Sequence, residues 1–257
     1  MSHRLDGKVA IITGAGRGLG NAFAMRFFQE GATLLLPDIS LERAEETARE
    51  IRAKGGQATA METDISDENK TQQIAERVME TYGKVDILLN NAGLISGVKP
   101  RPWDQWTAEI WDRFFNTNVR GTWLVCKAIA PLMVKQRSGK IINIASDIPK
   151  VAGSASLLPY ACSKAALYTL THSLARALGP SNINVNAIAP GRTATAASLS
   201  GDAETDQRVF DDTIAIQCLK RREEPEDLAG AAVFLASSDA DFVTGHCLFV
   251  NGGAFLS

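Results

Sequence analysis

The chain reads as an α/β protein: a doubly wound, seven-stranded parallel sheet with helices on both faces. Two observations carry this reading. Short apolar, branched runs alternate with helical stretches to the end of the chain, the βαβ rhythm of a parallel sheet covered on both sides. A glycine-rich turn stands between the first apolar run and the first helical stretch, the arrangement in which a strand feeds a helix across a phosphate-binding edge. The 257 residues show no repeat, low-complexity tract or linker, which fits one domain over 1–257.

The elements follow in order. Residues 8–12 (Lys-Val-Ala-Ile-Ile) form a buried strand. After the turn, 21–30 is a helix with Phe23, Phe27 and Phe28 among its apolar positions. A second strand at 33–36 ends in Pro37-Asp38, and Ser40 opens a helix over 40–54. Further strands are expected at 58–62, 87–89, 141–144, 183–189 and 247–250. Further helices are expected at 68–82, 107–135, 160–178 and 225–237. Right-handed crossovers place the ligand crevice at the carboxyl ends of the strands. Gly14, Asp38, Asp64, Asn90, Ser146 and Pro190 each follow a predicted strand, so they converge on that edge.

Three motifs carry chemistry. In Thr13-Gly14-Ala15-Gly16-Arg17-Gly18-Leu19-Gly20 the glycines let backbone N–H groups approach a pyrophosphate, and the helix start adds a favourable dipole. Asp38, about 20 residues after Gly18, stands where a carboxylate accepts hydrogen bonds from an adenosine ribose. Its charge repels a 2′-phosphate and favours NAD over NADP. Arg17 argues the other way, but no Arg or Lys follows Asp38, where Ile39 and Ser40 stand. Tyr160 and Lys164 lie one helical turn apart and share a face. An ammonium beside a phenol favours phenolate, so the tyrosine's pKa is expected to fall toward neutrality. A phenol tuned in this way exchanges a proton with an alcohol oxygen.

At this point the chain resembles the short-chain dehydrogenase/reductase family, in its single-domain branch, from about Leu5 to the end. Thr13 to Gly20 matches its T-G-x-x-x-G-x-G, and Asn90-Asn91-Ala92-Gly93 its N-N-A-G. Asn118, Ser146, Tyr160 and Lys164 match its catalytic tetrad. Pro190-Gly191-Arg192-Thr193-Ala194-Thr195 matches the P-G-x-x-x-T that cradles the nicotinamide carboxamide. Asp64, beside Ile65, matches the aspartate next to the adenine. The resemblance implies a Rossmann-type fold, a nicotinamide dinucleotide cofactor, which Asp38 makes NAD, and interconversion of a secondary alcohol with its ketone; an NADP-dependent ketone, 3-oxoacyl or sugar reductase and a non-catalytic dinucleotide-sensing protein on the same fold are the alternatives. Tyr160 is then the acid/base, Ser146 orients the same oxygen, Lys164 tunes the tyrosine and holds the nicotinamide ribose, and Asn118 props a relaying water. The implied cofactor set is Thr13, Gly14, Arg17, Gly18, Leu19, Gly20, Asp38, Asp64, Ile65, Asn91, Ala92, Gly93, Tyr160, Lys164, Pro190, Gly191, Thr193 and Thr195. One departure stands out. The gap between Ser146 and Tyr160 is one residue longer than is usual in the family, which alters the loop forming the substrate-pocket wall.

Composition sets limits. A net charge of −2 makes no electrostatic case for nucleic acid or an anionic membrane surface. No apolar run approaches the ~20 residues of a membrane helix. The polar first eight residues lack a secretory core, so the cytoplasm is the expected address. Cys126, Cys162, Cys218 and Cys247 lack metal or disulfide spacing and read as buried free thiols. His3, His172 and His246 are far apart, and no metal is expected. The four tryptophans read as core. The loop at 147–159 is mostly small or apolar, Leu94, Ile95 and Val98 add apolar wall, and 196–216 resembles the family's lid. Lys99, Arg101 and Arg192 read as solvated loop charges, as does Lys220-Arg221-Arg222 before the last helix. A small, neutral, largely apolar alcohol or ketone is therefore the expected substrate. A homotetramer is expected from the resemblance, through the helices at 107–135 and 160–178.

Overall fold

The computed structural model describes residues 3–95, 99–195, 199 and 202–256, without the side chains of 152–154. The predicted strands form one parallel sheet: β1 (Val9–Ile12), β2 (Thr33–Asp38), β3 (Ala58–Glu62), β4 (Ile87–Asn90), β5 (Gly139–Ile144), β6 (Ile183–Pro190) and β7 (Cys247–Val250). They lie in the order β3-β2-β1-β4-β5-β6-β7. Register is set by pairs such as Ala10 with Leu34, Ile11 with Leu88, and Ile142 with Asn186. The chain runs outward from β1 through β2 to β3, then restarts on the other side at β4. That reversal opens a crevice between the carboxyl ends of β1 and β4.

Alternate residues of each strand point to opposite faces, so each strand supplies two cores. Ala10, Ile12, Leu34, Leu36, Ile142 and Ile188 pack against α1 (Gly18–Gln29), α2 (Leu41–Ala53) and α8 (Pro225–Ala236), through Phe23, Phe27, Ile51, Leu228 and Val233. Val9, Ile11, Leu35, Leu88, Ile141 and Val185 pack against α3 (Glu68–Tyr82), α5 (Thr122–Gln136) and α6 (Leu158–Leu178), through Ile74, Val78, Val125, Ile129 and Met133. Ser40 caps α2 and Asp67 caps α3 by accepting backbone N–H groups.

The predicted helix over 107–135 is three pieces. After α4 (Ala108–Phe114), residues Phe115–Gly121 form a π-helical segment that runs on into α5. A π turn fits one extra residue per turn, which the apolar period does not reveal. It presses Gly121 on Ile65, where a Cβ would come within 2.9 Å of Ile65 Cγ1. It also buries Asn118. The described part of the expected lid is one helix, α7 (Ala203–Ile216); Ala196, Ala197 and Ser198 of that segment, and Val98 of the expected wall, lie outside the described residues.

Two composition-based expectations fail. Trp103 and Trp123 are not core: they are 74% and 43% exposed. They sit on loop and helix surface where no sheet face reaches them. Of the cysteines only Cys126 is fully buried, and Cys218 is exposed.

Candidate active site

The glycine turn is shaped by contacts that side chains would block. Gly14 and Gly18 have φ of +66° and +55°, in the left-handed region. A Cβ on Gly20 would lie 2.0 Å from the Gly14 carbonyl oxygen. α1 begins without a side-chain cap and without an acidic residue in its first turn. Its first N–H groups are thereby left for an anionic ligand. These features fit a dinucleotide pyrophosphate.

Thr13 and Asn91 stitch the turn to β4. Thr13 Oγ1 accepts the N–H groups of Asn91 and Ala92, each at 3.1 Å, and Asn91 Nδ2 donates to the carbonyls of Thr13 and Gly14, each at 3.0 Å. Both side chains hold the crevice open rather than project into it. Leu19 packs on the core beside them. Thr195 closes the far side, 3.5 Å from where a Cβ of Gly18 would stand. Residues from positions 13 to 20, 91 to 93 and 190 to 195 thus meet at one edge.

Asp38 is buried at the end of β2. Its Oδ2 accepts the Gly16 N–H and its Oδ1 the Ser40 N–H, both at 2.9 Å. Arg43, missed in the sequence, lies on the first turn of α2 with Nη2 3.6 Å from Asp38 Oδ1. Its Nε is buried without a hydrogen-bond partner. The signal was present: a basic residue on the first turn of the helix that Ser40 caps faces back toward the strand end. Asp64 is exposed and folds over its own turn, its Oδ1 accepting Ser66 N–H at 2.9 Å and Ser66 Oγ at 2.7 Å.

The proposed tetrad is assembled. Lys164 is 5% exposed and donates from Nζ to the Ile144 carbonyl at 2.7 Å. Burial lowers its pKa to about 8. Its Nζ lies 5.8 Å from the Tyr160 ring centroid. Asn118 Oδ1 accepts the Leu94 N–H at 2.6 Å, and its Nδ2 donates to Ser163 Oγ at 3.0 Å. The same Asn118 Oδ1 and Lys164 Nζ lie 3.3 and 3.5 Å from a Cβ built on Gly93. Ser146 Oγ accepts the Ile148 N–H at 3.2 Å, and Tyr168 Oη hydrogen-bonds the Ser146 carbonyl. The Ser146 hydroxyl faces the Tyr160 phenol and favours its ionised form.

The expected drop in the tyrosine's pKa does not occur in the protein alone. Burial pushes the Tyr160 phenol up to about 12, the neighbouring Ser146 hydroxyl opposing the shift only in part. Lys164 spends its contact on a backbone carbonyl, and burial weakens its own hold on a proton. Two further buried carboxylates flank the site. Asp147, next to Ser146, is held by Asn251 Nδ2 at 3.2 Å and pushed up by burial to about 6. Glu223 accepts from Thr193 and Gly191, and burial raises it to about 7. Lys99 is exposed, but two of the expected loop charges are not solvated singly: Arg101 lies 4.7 Å over the Trp106 ring, and Arg192, half-buried, 5.3 Å over Phe210.

A family profile described as enoyl-(acyl carrier protein) reductase matches residues 14–254. The 3-oxoacyl-[acyl-carrier-protein] reductase of Thermotoga maritima is 33% identical, across 98% of this chain and 100% of its own. The chain belongs to the short-chain dehydrogenase/reductase family. It is an oxidoreductase of that family, with the family's parallel sheet. The 7α-hydroxysteroid dehydrogenase of Escherichia coli K12 is 39% identical, over 97% of this chain and 95% of its own. A solved 7α-hydroxysteroid dehydrogenase, complexed with NADH and 7-oxo glycochenodeoxycholic acid, superimposes with a TM-score of 0.91 at 36% identity, covering 98% of this chain and 96% of its own. A protein of Beutenbergia cavernae, described from its own structure as a candidate NAD(P)-dependent gluconate 5-dehydrogenase and solved with NADP bound at low occupancy, gives 0.90 at 33%, covering 99% of each chain. A nicotinamide dinucleotide is therefore the cofactor class. Among the described residues no helix is long and apolar enough to cross a membrane.

Proposed function

We propose that this chain is a single-domain, NAD-dependent secondary alcohol dehydrogenase/ketoreductase, active in the cytoplasm as a homotetramer. The observation that carries the reading is the meeting of Ser146, Tyr160 and Lys164 beside the glycine cradle at one sheet edge. When bound, the dinucleotide supplies a nicotinamide that exchanges a hydride with the substrate carbon. The rest falls to the chain's own residues. In ketone reduction, the Tyr160 hydroxyl donates its proton to the carbonyl oxygen as the hydride arrives; in oxidation the phenolate removes the alcohol proton. Ser146 Oγ holds the same oxygen and orients it. Lys164, as ammonium, stabilises the phenolate left behind, and Asn118 fixes Leu94 and Ser163 around it.

Asp38 supports NAD, through like-charge repulsion of a 2′-phosphate. The lack of charge from Val151 to Pro159 and the wall at Leu94 and Ile95 support a neutral, largely apolar substrate. Apolar walls contribute roughly 25 cal/mol per Å² covered, so affinity is expected to climb as the substrate's apolar group grows.

The test is kcat/KM over a matched set: an aliphatic and an aromatic secondary alcohol, a sugar alcohol and a hydroxy acid, with the matching ketones. A preference of more than about tenfold for the charged or polyhydroxylated member overturns the substrate class. Tyr160→Phe is expected to cost about 10²–10⁴-fold in turnover while NADH binding stays nearly intact. Activity above about a tenth of wild type refutes the role of Tyr160. The pH dependence has a definite sign. The phenol persists below about 12, but the ammonium of Lys164 is lost as pH rises through about 8, so the reduction rate is expected to fall there.

A further inference from the structure

Glu223 is a buried carboxylate that this chemistry leaves unused. It stands in the turn before α8 and is 5% exposed. Its Oε1 accepts the Thr193 hydroxyl at 2.6 Å and its Oε2 the Gly191 N–H at 3.3 Å. Its backbone carbonyl accepts the Ala194 N–H at 2.9 Å, and Thr193 and Glu223 pair as an isolated parallel bridge. Among the described residues no Lys or Arg lies within ion-pair distance of it. A carboxylate buried without an ion pair carries a large desolvation cost, so its retention here calls for a reason beyond filling space.

The reason lies in what it grips. β6 ends at Pro190, and the segment that follows leaves the ladder of the sheet. Its Gly191 N–H also meets the Val250 carbonyl, at 3.2 Å, and its far end rests at Thr195 against the glycine turn. Between those ends Glu223 holds a side-chain donor and two backbone donors from one side. The fit is close: a Cβ on Gly191 would come within 3.0 Å of Glu223 Oε2. We propose that Glu223 is a positioning residue that sets the 190–195 segment for the nicotinamide end of the dinucleotide. This rests on reading 190–195 as the nicotinamide cradle. A displacement on the order of 1 Å in such a cradle is enough to cost about 10²-fold, which makes a buried, two-pronged acceptor worth its desolvation.

The experiment compares two probes on the intact protein: NADH, followed by its fluorescence, and ADP-ribose, which lacks the nicotinamide, followed by calorimetry. Glu223→Ala is expected to weaken NADH by about tenfold or more, or about 1.4 kcal/mol, while ADP-ribose stays within about twofold. Glu223→Gln keeps an acceptor oxygen for the Gly191 N–H while its amide donates to the Thr193 hydroxyl, and it is expected to stay within about threefold of wild type for both probes. Thr193→Val removes the donor from the other side and is expected to reproduce the selective loss; it decides the matter where Glu223→Ala does not fold. A parallel loss of ADP-ribose affinity, unchanged NADH affinity in the Ala and Val variants, or a Gln variant as weak as Ala each overturns the positioning role. Wild-type protein that binds neither probe overturns the dinucleotide reading itself, and the role of Glu223 with it.

Discussion

Asp38 shows how far a single residue's charge depends on its neighbours. As a bare carboxylate at the end of β2 it repels a 2′-phosphate strongly. In the fold it already accepts two backbone N–H groups and faces the Arg43 guanidinium at 3.6 Å. Arg43 is partly exposed, so solvent screens the pair, yet its charge offsets that of Asp38 where a ribose would sit. Arg17, exposed at the start of α1, adds a second cation nearby. NAD is expected to remain the better cofactor, by a modest margin. Arg43→Ala is expected to widen the NAD:NADP ratio of kcat/KM by about tenfold, and Asp38→Asn to narrow or invert it. Steady-state kinetics with both cofactors decides. Higher kcat/KM for NADP in the wild type means that the arginines outweigh Asp38. A ratio unmoved by Arg43→Ala removes Arg43 from the discrimination.

At the scale of elements, α7 is tied down by one aromatic ring. Phe210 is 1% exposed, with the Arg192 guanidinium 5.3 Å and that of Arg222 4.5 Å from its centroid. Arg222 also reaches Gln207 on the same helix. Cation–π contacts of this kind contribute about 0.5–2 kcal/mol each, and truncating a buried Phe costs about 3–5 kcal/mol. Phe210→Ala is therefore expected to undock α7: the substrate KM rises by about tenfold or more while the dissociation constant of NADH moves less than about threefold. An unchanged KM shows that α7 does not cover the substrate. The strands, the glycine turn and the helix faces were legible in the sequence, because a buried parallel strand and an amphipathic helix each leave a period in it. What escaped leaves none. The π segment shifts the phase of one helix by a residue, and it carries the buried Asn118. Arg43 and Glu223 are charged residues in polar stretches, and only the crossover that brings α2 or the turn before α8 to the strand ends gives them partners. The fall expected for Tyr160's pKa failed for a related reason. Spacing placed the ammonium and the phenol on one face but said nothing of their burial, and burial dominates both shifts.

At the scale of the whole molecule, the core under α5 and α6 opens to solvent in an apolar groove. Where α5 meets α6, a groove of about 450 Å³ is lined by Trp123, Ala130, Pro131, Val134, Leu174 and Leu178. Trp123 and Val134 are 43% and 39% exposed on its rim. Large apolar side chains on neighbouring helices, facing solvent together, mark a surface for association. Lys127 also lines the groove, its Nζ 5.4 Å over the Trp123 ring and paired with Glu68. In the proposed homotetramer, a two-fold axis across this face would set α5 and α6 of one protomer on the same helices of another, an isologous contact that uses one patch twice. Stable contacts of this kind cover about 800 Å² per partner, within reach of two helices of this length. We propose this face as one dyad of the homotetramer. Val134→Glu puts a carboxylate on the rim of the groove in both copies, where it must be desolvated opposite its own image. In sedimentation at micromolar concentration the wild type is expected to run as a tetramer and Val134→Glu as a smaller species, with the far-ultraviolet circular dichroism unchanged. A wild-type monomer refutes the assembly, and a Val134→Glu protein that still runs as a tetramer moves its dyads to other faces.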